Sequence, residues 1–165
     1  ADMPLREKLR RAYDVILGRQ EALPWLTHKG YALFQEFLEG NPYDTRVTVI
    51  GERAFGFRRF NRPNDFRASG SGKIDYTPDE IAPEFIRLAF DTARRLRSQS
   101  CAIDGLWRGS QPVVGEVTYT YTSWAVHECP GYWDENLDWH AGNLWPEEAQ
   151  AQDFIARLEN RYDVT

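Results

Sequence analysis

At 165 residues, 42% hydrophobic and 14% aromatic, the chain is long enough for one domain with a packed core. No run nears the ~20 apolar residues of a membrane span, and no leader-like stretch opens it. Two cysteines, Cys101 and Cys129, are too few for a disulfide framework, so a reducing cytoplasm is the expected setting. The net charge of −5 conceals a local excess: seven basic residues against two acidic ones between Arg46 and Lys73 make a +5 island, leaving −10 elsewhere. Such an island in an acidic chain favours a small anionic ligand over a nucleic acid.

In chain order, Pro4 to Arg19 carries Leu5, Leu9, Ala12, Tyr13, Ile16 and Leu17 at helical spacing. A connector with Pro24 and His28 follows. Tyr31 to Leu38 is expected to be a buried strand, with Gln35 and Glu36 set among Phe34, Phe37 and Leu38. Its exposed backbone groups suit a flat heterocycle, or else it is an edge strand with a wet polar side. Thr45 to Phe60 reads as a hairpin around a two-residue Gly51-Glu52 turn, glycine first as a type II′ turn requires. That register sets Ile50 against Arg53, Thr48 against Phe55, Arg46 against Phe57 and Asp44 against Arg59. One face is then apolar near the turn and charged at the open end, with Arg58 pointing the other way.

Asn61 to Tyr76 is rich in turn formers. It lacks the spacing of a phosphate-binding P-loop, yet Arg67, Ser69, Gly70, Gly72 and Lys73 supply donors suited to oxyanions, or form a plain surface loop. Thr77-Pro78-Asp79-Glu80 signals a helix start, the helix running to about Arg97 with Ile81, Phe85, Leu88, Ala89 and Ala93 inward.

Cys101 to Thr118 is a second hairpin. A three-residue Gly109-Ser110-Gln111 loop pairs Arg108 with Pro112, Leu106 with Val114, and Asp104 with Glu116. Carboxylates directly opposite each other repel, and a hard divalent cation relieves them; alternatively the register slips, or both are solvated at an edge. The tail carries Tyr119, Tyr121, Trp124, Tyr132, Trp133, Trp139 and Trp145, as core, interface or a carbohydrate surface. His127, Cys129 and His140 match no standard zinc spacing. Pro146 opens a last amphipathic helix through Phe154, Ile155 and Leu158.

The ordered motifs Phe34-Gln35-Glu36-Phe37, Asp44-Thr45-Arg46-Val47, the Gly51 hairpin with Arg58 and Arg59, Asp65-Phe66-Arg67 with its glycine loop, Ala102-Ile103-Asp104 and Gly115-Glu116-Val117 resemble the C-terminal half of an ATP-grasp domain. The look-alikes are ligases similar to the ribosomal-protein glutamate ligase and, through the tail CPGYWDENLDWH, ATP-grasp proteins of polysaccharide biosynthesis. The resemblance implies an α+β fold, an antiparallel sheet with flanking helices. It makes residues 1–165 one partial domain, a fragment of a longer protein or a degenerate homologue, with core motifs over 31–118 and the aromatic tail and C-terminal helix over 119–165. It implies ATP and Mg2+ as cofactors and a carboxylate-bearing small molecule, sugar or peptide as partner, with homo-oligomerisation open. Gln35, Glu36, Phe37, Leu38, Asp44 and Lys73 would hold the nucleotide, Asp104, Glu116 and Thr118 the metal, and Arg58, Arg59 and Arg67 the transferred phosphoryl group. The implied reaction is ligation through an acylphosphate, with a non-catalytic nucleotide- or partner-binding module as the alternative. Two features depart from the family pattern. Thr118 stands where a metal-binding asparagine is usual, and the upstream lysine and glycine-rich lid have no counterpart, Lys8 and Lys29 lying in unsuitable surroundings.

Overall fold

The computed structural model describes residues 32–162 and, before them, Arg6, Tyr13 and Gly30. The expected helix over 4–19 lies outside the described residues apart from Arg6 and Tyr13, both helical; Lys8, His28 and Lys29 also lie outside them. The chain divides into two units, Ala1–Glu36 and Phe37–Thr165.

The second unit is α+β, built on a seven-stranded antiparallel sheet. β1 (Tyr43–Ile50) and β2 (Arg53–Phe60) form the first hairpin, β4 (Ser100–Arg108) and β5 (Gln111–Thr118) the second, and β6 (Gly131–Trp133) with β7 (Trp139–Ala141) a short third. The order is β5-β4-β1-β2-β6-β7, and the two-residue β3 (Ile74–Asp75) shares the outer edge of β2 with β6. Helices α1 (Pro83–Leu96), α2 (Ser123–His127) and α3 (Pro146–Tyr162) complete the unit.

The first hairpin has the expected register, from Ile50 opposite Arg53 to Asp44 opposite Arg59. Gly51 has a positive φ of 58° at the first turn position, where a side chain would be strained. Alternation along these strands then separates two cores. Val47, Val49, Ala54, Cys101 and Ile103 pack against Phe85, Ile86, Ala89, Phe90 and Ala93 of α1. On the other face, Ile50, Phe55 and Phe57 pack against Ala125, Val126, Cys129 and Ala149. Those apolar residues fill only the turn end of that face, leaving its open end to charge.

Three expectations are corrected. Residues 32–38 are not a buried strand: they form no strand, and Leu33, Phe34 and Phe37 are 85%, 89% and 61% exposed. An apolar run becomes a buried strand only where a sheet edge pairs with it, and β1, the nearest strand in sequence, already has β2 and β4 on its two edges. The helix does not start at Thr77, whose hydroxyl bonds Asp75 Oδ1 at 2.7 Å. A 3-10 turn over Pro78–Glu80 comes first, and α1 begins at Pro83 because proline drives Ala82 to an extended ψ of 128°. The second hairpin turns through two residues, Gly109 and Ser110, so Arg108 opposes Gln111 and Leu106 opposes Val113. A bulge restores the count, β5 carrying one extra residue, Gly115, and Asp104 still opposes Glu116.

Candidate functional site

The open end of the α2-facing sheet surface carries a ladder of charge across three strands. Antiparallel pairing sets Arg46 of β1 against Asp104 of β4. Arg46 Nε donates to Asp104 Oδ1 at 2.6 Å and Nη2 to Oδ2 at 2.7 Å. Arg59 of β2 donates from Nε and Nη2 to the two oxygens of Asp44 at 2.8 and 2.6 Å, and Nη2 also reaches Asp104 Oδ2 at 2.7 Å. Paired guanidinium and carboxylate planes give strong, directional contacts. Arg59 and Asp104 are only 8% and 6% exposed, so each relies on the others for compensation. Burial pushes the Asp44 carboxyl above its ordinary value, against the pull of Arg59. For Arg59, burial opposes the charge but its bonds to Asp44 and the nearby Asp104 outweigh it, and its pKa rises.

A cavity of about 250 Å3 opens beside this ladder, between the sheet and the Ala68–Gly72 loop. Buried Ala68 anchors the loop, and Arg62 bonds the carbonyl of Ser69. Arg46, Arg59, Thr48 and Phe57 contribute from the strands; Tyr121, Trp124 and Val126 contribute from the segment that ends in α2. Thr48 is fully buried, and its Oγ1 has no hydrogen-bond partner among the described residues.

The structure brings together part of the expected set. Asp104 and Glu116 are opposite each other on the face that holds Arg59 and Asp44. Glu116 is exposed, and Thr118 Oγ1 donates to Thr120 O at 3.0 Å. Arg58 is not at this site. Strand alternation puts it on the opposite face, bonded to Asp75 and Glu80 with its guanidinium 4.9 Å from the centre of the Tyr43 ring. Arg67 pairs with its loop neighbour Asp65 at 2.7 Å and is largely exposed. Lys73 is exposed, and its backbone serves the sheet by accepting from Phe60 N at 3.0 Å. Both Asp44 oxygens are taken by Arg59. Gln35, Glu36 and Phe37 are exposed, and the Leu38 carbonyl accepts from Asn41 Nδ2 at 3.2 Å.

Asn41 was not singled out in the sequence. Its amide also bonds both the N–H and the carbonyl of Trp107, at 2.8 and 2.9 Å, tying the approach to β1 to the end of β4. Its position two residues before β1, next to Pro42, was the only available signal. His127 stacks on Trp145 at 3.9 Å, Cys129 is buried beneath Gly56, and His140 bonds Asp134 at 3.0 Å, so these three serve separate contacts.

Magnesium favours oxygen donors, and Asp104, Glu116 and Thr118 are of that kind. Asp104 Oδ1 accepts one hydrogen bond and so retains a lone pair. Both Asp104 oxygens nevertheless already accept from Arg46 and Arg59, and the described residues hold no group of three or more His, Cys, Asp or Glu side chains placed to take a metal ion. A scan against protein-family models and a search of curated proteins return no match to this chain.

Proposed function

We propose that the chain forms part of an ATP-grasp-like site for ATP- and Mg2+-dependent activation of a carboxylate, leading to ligation with an amine or similar nucleophile. The observation that carries this reading is the Asp104–Glu116 pair on one sheet face, beside Arg59, Arg46 and the glycine loop. Asp104, Glu116 and Thr118 would hold magnesium, which would supply Lewis-acid chemistry there. Arg46 and Arg59 each have five N–H donors, of which two and three are used within the ladder. The remaining donors can orient an anionic oxygen and stabilise charge as it shifts during phosphoryl transfer. A role in cell-surface polysaccharide biosynthesis rests on the tail resemblance alone. Calorimetric titration with ATP, with and without Mg2+, tests the reading on the chain and on Glu116→Ala. Magnesium-dependent binding that the substitution abolishes supports it; binding indifferent to magnesium and to the substitution refutes it.

A second reading, a binding module without catalysis, is favoured by one observation. Asp104 spends both oxygens on guanidinium groups, as a structural anchor would. Nucleotide binding of equal strength with and without magnesium would select it.

A further inference from the structure

The cavity beside the ladder has room for about eight waters at their liquid volume. That is the bulk of an amino-acid-sized molecule, below the ~300 Å3 at which pockets for drug-sized ligands begin. Its charged lining residues are both cations, Arg46 and Arg59; their counter-charges Asp44 and Asp104 do not line it. Neither arginine uses Nη1 within the ladder. Phe57 and Ile74 lie beside the arginines on the sheet, α2 adds Trp124 and Val126, and Ser69 and Thr122 bring hydroxyls to the same lining. Thr48 also borders the cavity but is fully buried, and its hydroxyl, without a hydrogen-bond partner among the described residues, has no surface that a ligand reaches.

We propose that this cavity binds a compact organic acid with an apolar body. The carboxylate takes the free donors of Arg46 and Arg59, and the body packs on Ile74 and Trp124. A bidentate-capable guanidinium suits a carboxylate, and an apolar body gains from leaving water against Ile74 and Trp124 where a sugar's hydroxyls only exchange one set of hydrogen bonds for another. Oligosaccharides and nucleotides exceed the space. That the bound acid is the one activated rests on the proposed ligase reading; the pocket itself does not.

The test is calorimetric titration of the full chain, without nucleotide, using phenylacetate, acetate, glucuronate and 2-phenylethanol. Phenylacetate is expected to bind at least about tenfold more tightly than acetate or glucuronate, a difference of about 1.4 kcal/mol. The alcohol, with the same ring and no carboxylate, is expected not to bind. Trp124→Ala, at a half-exposed ring of the lining, should weaken phenylacetate about five- to tenfold while the variant stays folded. Glucuronate binding as tightly as phenylacetate would overturn the apolar selectivity, and equal binding of acid and alcohol would remove the arginines from the site. Absence of acid binding by the folded chain would overturn the proposal outright. Acid binding with ATP binding indifferent to magnesium would leave the pocket standing and sink the ligase reading; magnesium-dependent ATP binding without acid binding would do the reverse.

Discussion

Replacing Asp104 with alanine separates the two roles that its position allows. Asp104 accepts three guanidinium hydrogen bonds at 2.6 to 2.7 Å and is only 6% exposed. Its removal leaves Asp44 as the sole carboxylate partner of Arg59 in the ladder and leaves Arg46 without its paired partner. Breaking a buried charge network by deleting one member costs about 3–5 kcal/mol. For a chain of this size each kcal/mol moves the thermal midpoint by roughly 2–4 °C, so Asp104→Ala should lower it by about 6–20 °C. Glu116, directly opposite but exposed, has no such partners among the described residues, and Glu116→Ala should stay within about 0.5 kcal/mol of the parent. Urea denaturation of both variants, with thermal scans in the absence of magnesium and nucleotide, measures the contrast. If Asp104→Ala costs no more than Glu116→Ala, Asp104 is not the anchor of the ladder and the energetic reasoning fails.

Two other outcomes follow from the packing and the ion pairs. Arg58 and Thr77 hold the Asp75 carboxyl at about 2, below its ordinary 3.8. The unfolded chain therefore takes up that proton first, and the stability due to ionised Asp75 is full above about pH 4 and lost as pH falls towards 2. Asp75→Asn should flatten this acid limb in part, because Asp65 beside Arg67 is also held at about 2 and contributes in the same direction; an unchanged limb in urea titrations across pH 2–5 would discard the account. Asp44 works with the opposite sign, since its raised value makes its contribution fall as pH rises through that value. Gly105 faces the Phe85 ring so closely that a Cβ would sit 2.4 Å from Phe85 Cδ1. Gly105→Ala should cost about 1–3 kcal/mol through displacement of α1's main anchor, and a thermal midpoint unchanged from the parent would refute the tight contact.

Local chemistry in the sequence was enough to define the first hairpin. The Gly51-Glu52 turn fixed the pairing from Ile50–Arg53 to Asp44–Arg59, because a two-residue loop leaves one register and period-2 alternation then assigns every side chain to a face. The same alternation already placed Arg58 away from Arg59, which the structure repeats. Asp104 opposite Glu116 was also legible, although two compensating features produce it: a shorter turn at Gly109-Ser110 and an extra residue at Gly115. Neither the helix break before Pro83 nor the exposed Phe34 and Phe37 followed from apolar periodicity, which records what a segment can bury and not whether a partner surface reaches it. The functional face was decided by a contact no local pattern encodes. Pairing of β1 with β4 across 58 positions of sequence puts Arg46 against Asp104, converting an expected free metal ligand into the centre of a charge ladder. The pocket beside the ladder arises in the same way, because its walls come from strands, loop and α2 segments that only the folded sheet brings together. Turn geometry and side-chain period are properties of a few neighbouring residues; strand order and cavity walls depend on the free energy of the whole sheet, and only the tertiary structure determines them.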